Sequence, residues 1–97
     1  MFDKMKQLME MKKQAEQMKR DLEAMVVEVN EVNGIKITIN GTQRFQSLEL
    51  DENFHKSTDK EKMQADLLRS VNAAINRSQD VATQRMKEVT GFQIPGL

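Results

Sequence analysis

Asn33-Gly34-Ile35-Lys36-Ile37-Thr38-Ile39-Asn40-Gly41 decides how this chain reads. Three isoleucines alternate with polar residues, the period-two pattern of a half-buried strand. An Asn-Gly pair closes each end, and Asn-Gly marks hairpins because both residues tolerate positive φ. The stretch therefore predicts the middle strand of a three-stranded meander. The long charged segments on either side contain neither Gly nor Pro. The chain reads as helix, three strands, helix: an α+β domain with an antiparallel sheet.

The isoleucines set the register of their neighbours. The first strand is expected at about 26–32. A two-residue Asn33-Gly34 turn would place Glu28 and Asn30 beside Ile39 and Ile37, a poor match. A three-residue loop, Val32-Asn33-Gly34, instead sets Val29 opposite Ile37 and Val27 opposite Ile39. The middle strand spans about 35–40 and the third about 43–50. There Phe45, Leu48 and Leu50 share a face only if a β-bulge falls near Gln46-Ser47. A polar loop follows at 51–57. It carries His55, the only histidine, which reads as an ordinary loop residue because no nucleophile pattern accompanies it.

Helix 1 is predicted over about 3–25 with Asp3 as N-cap. Leu8, Met11, Ala15, Met18, Leu22 and Met25 repeat at alternating three- and four-residue spacings, a heptad stripe expected to pack within the protein's own dimer. In the same register Lys6, Lys13 and Arg20 share one position and Lys12 and Lys19 the next, so five cations form one stripe. Glu10, Glu16 and Glu23 are read on the neighbouring outer face, with pairs such as Glu16–Arg20 at i,i+4. The plain alternative for this charge is a solvated helix face.

Thr58-Asp59-Lys60-Glu61 matches a capping box, which starts helix 2 at 58. The helix is read to about 90, with Gly91 as its stop, Pro95 beyond and an apolar tail at 91–97. Its apolar stripe includes Met63, Leu67, Val71, Ala74, Ile75, Ser78, Ala82, Met86 and Val89. Ala73, Ala74 and Ser78 are small enough to admit the sheet or a partner helix closely.

Ninety-seven residues make one domain, with 31% charged and 4% aromatic residues. So little large apolar surface, with two helices too long for one small sheet, predicts a dimer. With no Cys there is no disulfide framework and no thiolate metal site. No apolar run approaches a membrane span and no signal-peptide pattern opens the sequence, which predicts a cytoplasmic location without membrane contact. Fifteen basic residues balance fifteen acidic ones, which argues against a strongly basic nucleic-acid binder. The charge is uneven all the same. Residues 1–20 carry six basic and three acidic side chains, and residues 21–34 carry four acidic and no basic ones. No phosphate loop, dinucleotide fingerprint or ligand cluster appears. No cofactor, metal or small-molecule substrate is expected, and the chain reads as a non-enzyme.

Several segments in order give a family resemblance. They are Met1-Phe2 leading into a Met/Gln/Lys-rich helix, then Lys36-Ile37-Thr38-Ile39-Asn40-Gly41, Phe45 and Leu48-Glu49-Leu50-Asp51, then Leu67, Val71, Ala74-Ile75-Asn76 and Ile94-Pro95-Gly96-Leu97. With these the chain resembles the YbaB/EbfC family of bacterial nucleoid-associated proteins over essentially its whole length. It departs from the family at Glu52, where members often have Pro, and in a slightly longer loop before helix 2. The resemblance implies an α-β-β-β-α protomer, a tweezers-like homodimer, a nucleoid location and binding to double-stranded DNA with little sequence preference. It supplies no residue signature for DNA contact. Charge supplies the candidates instead: Lys6, Lys12, Lys13, Lys19 and Arg20 on helix 1, then Arg77, Arg85 and Lys87 on helix 2. Two other functions fit the same outline: a prefoldin-like holdase or assembly factor, and a protein-binding adaptor of DNA repair or replication.

Overall fold

The computed structural model describes residues 2–56 and 58–90. Its elements are helix α1 (Phe2–Ala24), strands β1 (Val26–Val29), β2 (Ile35–Asn40) and β3 (Phe45–Leu50), a 3₁₀ turn at Phe54–Lys56, and helix α2 (Lys60–Thr90). The expected Gly91 stop, Pro95 and the 91–97 tail lie outside the described residues.

α1 is built from Lys, Gln, Glu, Met and Leu, all strong helix formers. It ends where the β-branched pair Val26-Val27 begins β1. The Met25 amide donates to Asp21 O and Leu22 O and closes the last turn. Asp3 lies inside the first turn and not at the N-cap, because the helix already begins at Phe2. At α2 the expected cap shifts by one residue. Asp59 Oδ1, not the Thr58 hydroxyl, accepts from Lys62 N at 2.8 Å. The helix therefore starts at Lys60 and not at 58.

The sheet has the order β1-β2-β3, antiparallel throughout. Val29 faces Ile37 and Val27 faces Ile39, as the three-residue loop requires. Ile35 N donates to Val32 O across that loop, with Gly34 at φ 94°. The ladder of β1 stops at Val29, short of the expected 32, because the chain turns from Asn30 onward. On the other side Thr38 pairs with Ser47 and Ile39 with Phe45, which leaves Gln46 as the bulge. β3 begins at Phe45, not 43, because Gln43 takes the left-handed conformation (φ 64°) in the second turn. That position was expected at Asn40-Gly41.

Gly41 is needed for a different reason. Its amide donates to Leu22 O at 2.9 Å, and an added Cβ would sit 2.9 Å from that same oxygen. The backbone thus approaches the end of α1 as closely as only glycine allows. Beside it, Asn40 is 3% exposed and fully engaged. Its Oδ1 accepts from Thr42 N, Thr42 Oγ1 and Arg44 N, and its Nδ2 donates to Glu23 O at 3.2 Å. The β2–β3 turn and the base of α1 are therefore one bonded unit.

The core is Ile35, Ile37 and Ile39 with Phe54 and Ala74, flanked by Val27, Val29, Val32, Met63, Leu67 and Val71. α2 lies across β2 and β1. Ser70, Ala74 and Ser78, four residues apart, are all but sealed from solvent and let the helix sit close to the sheet. Ser70 Oγ donates to Asp66 O, so the buried hydroxyl is satisfied. β3 is only partly reached by α2, whose Val71 lines one open cavity with Phe45 and Leu48. Phe45, Leu48 and Leu50 face the same side as the isoleucines, yet remain 49%, 55% and 44% exposed. On the opposite face Lys36 bridges Glu49 at 2.9 Å and Glu28 at 3.5 Å. Its ammonium is held above its ordinary pKa, first by the hydrogen bond to Glu49.

The protomer measures 66 × 25 × 18 Å, with a radius of gyration of 18.5 Å. A compact chain of this length has a radius near 13 Å. The two helices therefore extend well past the sheet they share.

Candidate nucleic-acid interface

α1 is an arm anchored at one end. Leu22 and Met18 are half-buried near the Gly41 contact, while every residue from Asp3 to Gln17 is exposed. The heptad stripe thus splits. Met18, Leu22 and Met25 pack partly within the protomer, and Leu8, Met11 and Ala15 stand in solvent. Lys6, Lys12, Lys13, Lys19 and Arg20 are all exposed. Among the described residues none of the five forms an ion pair. Arg20 donates to Gln17 Oε1 at 3.0 Å rather than pairing with Glu16.

α1 is one continuous helix, and at 3.6 residues per turn the row holding Met9, Glu16 and Glu23 falls between the two cationic rows. Glu16 and Glu23 are therefore not on a separate outer face. Glu16 has Lys12, Lys13, Lys19 and Arg20 as its three- and four-residue neighbours and offsets part of their charge. Met9 has Lys6, Lys12 and Lys13 around it, with no carboxylate among its three- and four-residue neighbours. Glu10 lies four residues from Lys6 and three from Lys13, so carboxylates flank the lysines of both halves. What sets the outer half apart is that Met9, not a carboxylate, stands in the row between them.

The three α2 candidates differ from this. Arg85 spans the helices. Its guanidinium contacts Asp21 Oδ2 at 3.3 Å and Glu88 Oε2 at 3.5 Å. Asp21 in turn accepts from Gln17 Nε2 at 2.9 Å. Gln17 first, and Arg85 next, hold the Asp21 carboxyl below its ordinary pKa. Arg85 is therefore a tie between α1 and α2, with little of its charge left for phosphate. Arg77 is exposed but lines an open groove with Glu28, Glu31 and Asp80, whose carboxylates repel an anion. Lys87 is half-buried in the last turn, where a cation complements the helix C-terminus. The structure thus brings the α1 cations together and separates the α2 cations from them. Of the exposed cations that were not candidates from sequence, two lie on or beside α1. Lys4 continues the arm outward, and Arg44 sits in the turn bonded to the base of α1. Lys4 was legible as part of the basic segment. Arg44 was not, because only the fold brings its turn to α1.

A protein-family model matches residues 1–93, that of the YbaB/EbfC DNA-binding family. This chain belongs to the YbaB/EbfC DNA-binding family. It is 32% identical over 94 residues to a nucleoid-associated protein of Moorella thermoacetica, covering 95% of this chain and 90% of the relative. It is also 32% identical over 95 residues to a nucleoid-associated protein of Pelotomaculum thermopropionicum, covering 96% and 90%. The fold matches the crystal structure of an uncharacterized protein from Helicobacter pylori with a TM-score of 0.74 at 18% identity, covering 93% of this chain and 97% of that one. The helix, three-stranded sheet and helix are thus the architecture of a YbaB/EbfC protomer. Within that frame α1 is the element richest in unpaired cations.

Proposed function

We propose that this protein binds double-stranded DNA as a homodimer, with little sequence preference and mainly through phosphates, and that it acts at the nucleoid. The observation that carries the reading is the α1 arm. Five cations, Lys6, Lys12, Lys13, Lys19 and Arg20, stand exposed on it without an ion-pair partner among the described residues. Phosphate contacts of this kind position a protein on DNA without reading sequence. Membership of a DNA-binding family and the names of the relatives point the same way.

The dimer rests on surface area. A compact monomer of 11.2 kDa exposes about 5,700 Å², whereas this protomer exposes 7692 Å². Each partner in a standard interface buries about 800 Å². The apolar face of Phe45, Leu48 and Leu50 is the surface in the sheet that calls for such cover, and a second copy presents its arm alongside the first.

A mobility-shift titration on two unrelated duplexes at two salt concentrations tests the reading. Both duplexes should shift with similar affinity. Five phosphates neutralised per protomer, ten per dimer, give a log–log salt slope of about −9. Replacing Lys12, Lys13, Lys19 and Arg20 by Ala should weaken both complexes alike and flatten that slope. No shift at low salt, or a shift indifferent to salt, would sink it. The exposed Met5, Leu8, Met9 and Met11 favour a second reading, a holdase that grips unfolded chains through a soft apolar arm. Suppressed aggregation of a model substrate, without any DNA shift, would select it.

A further inference from the structure

Met5 and Met9 lie one turn apart on the outer half of α1 and are 64% and 62% exposed. Their placement is not that of the heptad stripe. Met5 borders the stripe of Leu8, Met11 and Ala15 as the i,i+3 neighbour of Leu8, while Met9 lies well round the helix from it. Met9 is bracketed by Lys12 on one flank and by Lys6 and Lys13 on the other, with Glu10 beyond the latter pair and Met5 directly before it. A second apolar helix seated here would bring those three ammonium groups to the rim of a hydrophobic contact. A polyanion with an apolar interior fits both features at once.

Resting on the DNA-binding reading, we propose that Met5 and Met9 form an apolar wedge that enters the minor groove and bends the duplex. The lysines on either flank meet the phosphates of the two strands. The methionines, unbranched and adaptable, reach between base steps. The minor groove is about 6 Å wide and an α-helix with its side chains about 10–12 Å across. The helix body therefore stays outside and only side chains enter, which widens the groove and bends the DNA away from the protein. Minor-groove proteins use apolar wedges, Met among them, in this way.

The test uses the full chain and fluorescence energy transfer between dyes at the two ends of one ~30-bp duplex, read beside the mobility shift. Addition of protein should raise the transfer, and the double variant Met5→Ala/Met9→Ala should abolish the rise. Its shift should stay within a few-fold of the parent affinity, with the same salt slope. Met5→Leu/Met9→Leu should keep the rise, since Leu also serves as a wedge. Both positions are exposed, and far-ultraviolet circular dichroism will confirm that the variants fold. A shift without any rise in transfer overturns the wedge and leaves DNA binding standing. An equal rise in the alanine variant does the same. Absence of a shift for the parent protein overturns both.

Discussion

Ser78 Oγ on α2 donates to the backbone carbonyl of Asn40 at 2.6 Å and accepts from Gln43 N at 3.2 Å. One fully buried hydroxyl thus satisfies both sides of the β2–β3 turn and holds it against the long helix. Ser78→Ala removes both bonds, while Gln43 N keeps its 3.2 Å bond to Asn40 O, so the loss should be that of a net buried hydrogen bond, about 0.5–1.5 kcal/mol. Urea unfolding should show that loss as a lower midpoint at unchanged slope. A midpoint equal to that of the parent would show that water replaces the hydroxyl at no cost.

Gly41 offers a sharper probe of the arm's anchor. An added methyl would meet Leu22 O at 2.9 Å, a backbone atom that cannot rotate away. Gly41→Ala should destabilise by about 1–3 kcal/mol through overpacking, and the loss should concentrate at the base of α1. Amide exchange of Ala24 and Met25 should accelerate more than exchange in β2. Equal acceleration throughout would place the damage in the global fold and not in the anchor.

The Asp21–Arg85 tie gives a pH dependence with a definite sign. Hydrogen bonds from Gln17 and then Arg85 lower the Asp21 pKa in the folded protein. A lowered carboxyl contributes stability above its unfolded pKa, and the contribution is lost as pH falls through the folded one. The difference in melting temperature between the parent and Asp21→Asn should be full at neutral pH. It should fade once the medium is more acidic than the ordinary aspartate value of 3.8. A difference that persists unchanged through that range would mean the ion pair contributes nothing to it. Both groups are partly solvated, so the effect should also shrink with added salt.

The uncovered strand face predicts the oligomeric state. Phe45→Ser with Leu48→Ser removes apolar surface that is already half in water, so the protomer itself should lose little stability. If a second copy covers that face, the solution mass of the variant should fall from dimer to monomer at micromolar concentration, and its melting should cease to depend on concentration. An unchanged mass would move the dimer contact to the helices.

Much of the fold was legible because it depends on short-range pattern. The Ile35, Ile37 and Ile39 alternation fixed which face of β2 is buried. That alone required a three-residue first loop and a bulge opposite Ile39, and the pairing shows both. Boundaries were legible only to within a few residues. Thr58 and Asp59 are both capable caps, and it is the Asp59 carboxylate that accepts from Lys62 N. The cationic rows of the candidate site followed from heptad arithmetic. So did the row between them, although the acidic members of that row had been placed on a neighbouring face. In α1 the sequence showed an apolar stripe but not which part of it would be covered.

What the chain determined by itself is whatever repeats at two or 3.6 residues: the element types, the strand register and the concentration of positive charge on α1. Local periodicity suffices because one side of each element must leave water. Tertiary structure decided what joins residues far apart in the chain. Ser78 meets Asn40 across 38 positions, and Arg85 meets Asp21 across 64. Those contacts turned Gly41 from a presumed turn residue into an anchor for α1. They also removed Arg85 from the free cations and left the inner face of β3 half exposed. No local pattern encodes them, because each depends on where α2 comes to rest on the sheet.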